Sequence, residues 1–190
     1  MDLPPEALLA AYVEEEHRVE TGPYRRYREV LAEAARAVAA RFGVALPEAE
    51  AVAFAASVPA WPPFPDTVEG LKALGAMGFR RVILSNVDRD LLAETIRCHR
   101  LEVDGAVTAE DTRTYKPHPQ HWLTFCTRYG ARREEVLHIA QSLLHDVQPA
   151  LGLKRDCVWR NRYGEPLPED LWPTHVVEDM DALVGWLLAQ

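Results

Sequence analysis

Polar residues close several short apolar runs in this chain. Val82-Ile83-Leu84 leads into Ser85 and Asn86, and Leu137-His138-Ile139-Ala140 leads into Gln141 and Ser142. Asp146 follows Gln141 by five positions, and Lys116 stands in the stretch TYKPHP. A hydroxyl and an amide at 85–86 are donors for an anionic ligand. The same pair, with Asp88, also caps a following helix well. Lys116 is a point charge that neutralises a carboxylate or phosphate. Its prolines hold the local backbone extended, which sets it apart from an ordinary solvated lysine. Asp146 has two uses beyond a helix-dipole partner: it orients Lys116, or it holds a divalent cation. Magnesium sites gather several carboxylates, and Gln141 supplies only a neutral amide, which weakens the metal reading. His145 in the first turn after Ser142 is within reach of the same place. His118 and His121 (HPQH) read as surface residues, Trp122 as core or pocket wall, and Arg162 as a surface arginine.

These residues need elements to bring them together. Up to about residue 57 the pattern is helical: PEALLAAYVEEEH, YRRYREVLAEAARAVAARFG and PEAEAVAFAAS repeat apolar residues at three and four. Pro5 and Pro47 sit near helix starts and Gly43 where a C-cap would lie. VPAWPPFPD, residues 58–66, is a proline-rich boundary. We therefore expect a helical region over 1–60 and a second part of different pattern over 61–190. In the second part RRVILSN, EVLHIAQS, DCVWRN and THVVED read as strands, and GAVTAED as a weak strand and loop, alternating with helical stretches. That alternation implies βαβ units and a parallel sheet. Right-handed crossovers then bring the polar strand ends to one edge.

Composition excludes other classes. The net charge of -8 argues against a general nucleic-acid binder. No apolar run reaches the ~20 residues of a membrane span, and the acidic N-terminus is no secretory signal. Cys98, Cys126 and Cys157 lack metal-site spacing and read as reduced thiols of a cytoplasmic protein.

In order, PFPDTVEGLKAL, VILSN, YKPHP, HIAQSLLHDVQPALGL and VWRNRYG resemble the haloacid dehalogenase superfamily. The likeness is to its 2-haloacid dehalogenase-like hydrolases with a helical cap, and it implies that 1–60 is that cap and 61–190 a Rossmann-like core with a parallel sheet. The resemblance implies a hydrolase acting on a small anionic substrate through an aspartyl-ester intermediate. It implies substrate binding by Ser85, Asn86, Gln141 and Ser142, and catalytic roles for Lys116 and Asp146. Gln141 falls where phosphatase members carry a metal-binding aspartate, so the expectation is chemistry without magnesium. The chain departs from the pattern in two ways. The opening strand ending in Asp-x-x-Gly-Thr is absent, so the nucleophile and about 35 to 45 residues of strand, loop and helix are expected outside this sequence. Leu143 stands where dehalogenases have an asparagine, and the place of their cap arginine falls near Tyr12 or Val13. Alternatives are an inactive binding protein, a phosphatase, or a homodimer in which a partner fills the strand position.

Overall fold

The computed structural model describes residues 4–190. In chain order the elements are α1 (Pro5–Glu20), α2 (Tyr27–Arg41), α3 (Glu48–Ala56), α4 (Thr67–Ala76), β1 (Val82–Ser85) and α5 (Arg89–His99). Then come β2 (Gly105–Thr108), the single turn α6 (Ala109–Thr112), α7 (Gln120–Tyr129), β3 (Leu137–Ala140), α8 (Gln148–Gly152), β4 (Asp156–Arg160), β5 (His175–Val177) and α9 (Met180–Leu188). The class is α/β, as the alternation implies. The chain packs as two compact units.

One unit joins the helical stretch up to Trp61 with Asn86–Cys98 and Thr108–Tyr115. Pro5 opens α1 at a position whose amide has no helical partner. α2 buries Val30, Leu31, Ala34 and Val38, a spacing that makes one face of a helix. Leu31 and Ala32 pack against Ala51 and Ala55 of α3, where small side chains allow close approach. Past the end of α2 stands Gly43, whose φ of +75° is the left-handed turn that glycine adopts without strain. Asp88 is fully buried here. It does not cap its own helix. Its carboxylate accepts from the amides of Tyr27 (2.9 Å) and Arg28 (3.2 Å), the open N-terminus of α2. Arg28 Nε adds a third bond at 3.0 Å.

The other unit holds Pro62–Ser85, His99–Val107 and Lys116–Gln190. β3, β4 and β5 form a parallel sheet, with Ala140 beside Trp159 and Val158 beside His175. β4 shows the two-residue period of a strand buried on both faces. Val158 joins a cluster with Leu74, Val177, Met180 and Leu183. Cys157 and Trp159 join another with Trp122, Val147 and Ala150. Each such side chain stabilises by about 1.5–3 kcal/mol when fully buried. β1 pairs with β2 in a separate ladder, and no strand of the described residues joins β1 to β3. Arg162 is no surface arginine: its guanidinium lies over the Phe64 ring at 4.2 Å and pairs with Asp66.

Candidate active site

The end of β1 and the turn after β3 meet around one buried lysine. Lys116, joined to Pro117 by a cis bond, is 8% exposed. Its Nζ donates to the Leu84 carbonyl at 3.0 Å and to Asp146 Oδ1 at 2.6 Å. It therefore ties the end of β1 to the turn that follows β3. That turn, Leu143–Val147, is a wide π-type turn in which the Val147 amide reaches back to the Ser142 carbonyl at 3.0 Å. The wider turn carries Asp146 inward, where it is 7% exposed.

Asp146 Oδ1 accepts a second bond, from His138 Nε2 at 3.1 Å. Burial pushes the Asp146 carboxyl up. The His138 bond and the Lys116 charge outweigh it and hold the group below the ordinary carboxylate range. The carboxylate is thus ionised and fully engaged on that oxygen. His138 stacks edge-on against Trp122, ring centroids 5.4 Å apart. Cys157 lies in the same core, its thiol pushed up to about 12 by burial and by the Asp146 charge.

The other expected residues are placed as follows. The Ser85 carbonyl accepts from His121 Nε2 at 3.2 Å, and the Ser85 hydroxyl has no hydrogen-bond partner among the described residues. Asn86 belongs to the helical unit, where its amide reaches Glu20 at 3.5 Å. The Gln141 carbonyl accepts from Trp159 Nε1 at 2.9 Å. Its side-chain amide is partly exposed and has no partner among the described residues. Ser142 caps the turn: its Oγ accepts from the His145 amide and shares a bond with His145 Nδ1, both at 3.1 Å. In the helical unit Tyr12 packs edge-on against Phe54, and Val13 is exposed.

Two histidines correct the reading of the sequence. His121 is not at the surface; it is fully buried. His138, given no role there, is the third member of the Lys116–Asp146 group. The signal for it was present: a polar ring within a buried strand needs a partner. The nearest acid downstream is Asp146.

As chemistry, the group is a buried cation held by an ionised carboxylate, beside two polar side chains, Ser85 and Gln141, at strand ends. A cation held in this way can neutralise negative charge brought beside it. The donor set suits a divalent cation poorly, because the central carboxylate oxygen already serves a lysine and a histidine.

Comparison with known proteins identifies the family. A family model described as haloacid dehalogenase-like hydrolase matches residues 5–151. The chain belongs to that family. The haloacetate dehalogenase H-2 of Moraxella sp. is 32% identical over 127 residues, 64% of this chain and 55% of that protein. The (S)-2-haloacid dehalogenase 4A of Burkholderia cepacia is 28% identical over 123 residues, 63% of this chain and 53% of that protein. The chain thus spans about half the length of the curated relatives it matches. The structure of an L-2-haloacid dehalogenase from Xanthobacter autotrophicus, with chloropropionic acid covalently bound, superposes at a TM-score of 0.86. It is 19% identical, and the match covers 97% of this chain and 87% of that one. At that identity the likeness speaks to fold. No helix of the described residues is long and apolar enough to cross a membrane.

Proposed function

We propose that this member of the haloacid dehalogenase-like hydrolases works on a small 2-haloacid through an aspartyl-ester intermediate. The observation that carries the reading is the buried Lys116–Asp146–His138 group at the ends of β1 and β3. The lysine charge neutralises the attacking carboxylate and the substrate carboxylate. The Ser85 hydroxyl and the Gln141 amide donate to the substrate, and Ser142 holds the turn beside Gln141. The attacking aspartate is none of the carboxylates just described, since Asp146 is committed to Lys116. In this reading it arrives on a strand that pairs between β1 and β3, neither of which has a second neighbour among the described residues. A second copy of the chain is another supplier of that strand, which would make a homodimer. The named activities of the relatives support the substrate class.

The reading uses no metal, because the one carboxylate at hand is already bound to a lysine and a histidine. It places the protein in the cytoplasm, where three unbridged cysteines suit a reducing milieu.

The test is halide release from a 2-haloacid and phosphate release from a phosphomonoester with magnesium. Both are measured for the chain and for a fusion that places an apolar strand ending in Asp-x-x-Gly-Thr ahead of Met1. The expected result is halide release by the fusion alone, lost in its Lys116→Met variant. Phosphate release by the fusion would name a phosphatase instead. Turnover by the 190-residue chain itself would show that the nucleophile lies within it.

A further inference from the structure

Two of the three free cysteines sit where burial or a carboxylate works against a thiolate. Burial and the Asp146 charge act on Cys157. Local desolvation and the Glu94 carboxylate push exposed Cys98 up. Cys126 has a different neighbour. It is partly exposed on α7, and Arg155 Nη2 donates to its Sγ at 3.1 Å.

Arg155 lies just before β4 and is 8% exposed. Its Nε and Nη1 have no hydrogen-bond partner among the described residues. Nor does any carboxylate of those residues pair with it. A guanidinium is a permanent cation with donors in a fixed fork. Burying one without an anion is costly. A neutral thiol is a weak acceptor and offsets little of that cost. An anionic sulfur, or an oxygen carried on it, matches the fork far better.

We propose that Cys126 is a site of reversible oxidation by hydroperoxides, with Arg155 holding the oxidised sulfur. The sulfur attacks one peroxide oxygen; an S–O bond forms as the O–O bond breaks. Sulfur gives up two electrons and the peroxide takes them. The leaving alkoxide or hydroxide takes up the proton that the thiol gave, so thiol and hydroperoxide become sulfenic acid and an alcohol or water. The new oxygen accepts from the unused guanidinium donors. Two equivalents of a cellular thiol reverse the change: the first forms a mixed disulfide and water, and the second displaces the Cys126 thiol from it.

The test is hydrogen peroxide with dimedone as the trap, read by mass spectrometry on tryptic peptides. The three cysteines fall on separate peptides, because Arg97, Arg100, Arg113, Arg128, Arg155 and Arg160 bracket them. The expected order is Cys126 ahead of Cys98, with Cys157 slowest. Exposure alone gives Cys98 first, and that order overturns the proposal. Arg155→Gln is expected to slow Cys126 about ten-fold, one charge-assisted hydrogen bond's worth, and to leave Cys98 unchanged. An unchanged Cys126 rate in that variant also overturns it. A variant that unfolds reveals itself by labelling at Cys157, and the wild-type order then decides.

Discussion

Replacing Asp146 with Asn removes one charge from the centre of the candidate site and leaves its shape. Both partners are nearly enclosed: the side chains of Lys116 and Asp146 are 9% and 10% exposed. Breaking a buried pair from one side costs about 3–5 kcal/mol, because the remaining charge stays buried. The asparagine oxygen still accepts from Lys116, which puts the cost near ~3 kcal/mol. With a urea slope of ~2 kcal/mol per molar, the midpoint falls by about 1.5 M. Tryptophan fluorescence follows it, since Trp122 and Trp159 share a core with Val147. The double variant Lys116→Met/Asp146→Asn removes both charges and is expected to recover part of the loss. Acid adds a second check. Asp146 is held below the usual carboxylate range, so its contribution is present above the unfolded value of ~3.9 and vanishes as pH falls through the folded one. The gap between wild type and Asp146→Asn therefore closes below about pH 4. A loss under ~1 kcal/mol, the range of exposed pairs, or a gap that ignores acid, would refute the reasoning.

Other outcomes follow from the same physics. Asp88→Ala strips two amides at the α2 N-terminus and Arg28 of their acceptor; a loss of about 2 kcal/mol and faster amide exchange in the first turn of α2 are expected. Gly70→Ala would set a Cβ 2.6 Å from Met180 Cβ, so overpacking between α4 and α9 should cost roughly 1–3 kcal/mol in urea unfolding. Chelation with EDTA should leave halide release by the fused form unchanged, and a loss restored by magnesium would contradict the metal-free reading.

The α/β alternation was legible because β1, β3 and β4 are short apolar runs closed by polar residues, and the longer helices repeat at three and four. The pairing of Lys116 with Asp146 was one of the alternatives the residues offered, and the structure brings the two within 2.6 Å. Other non-local partners were not legible. Asp88 reads as a cap for the helix beside it, yet it serves α2, 60 and 61 positions earlier. His121 reads as polar surface because HPQH opens a helix, yet its ring meets the Ser85 carbonyl 36 positions away. Arg162 finds Asp66 at a separation of 96. Spacing along the chain carries no trace of such contacts. Burial of a polar group is what demands them.

The most direct test of the central claim is a single turnover of the fused form on a 2-haloacid in ¹⁸O-water, enzyme in excess. An aspartyl ester hydrolysed at its carbonyl returns a 2-hydroxy acid with ordinary oxygen and leaves the label in the attacking aspartate. A 2-hydroxy acid labelled on that first turnover would mean that water attacks the substrate directly, and the account of Lys116 as the charge beside a nucleophilic carboxylate would fall.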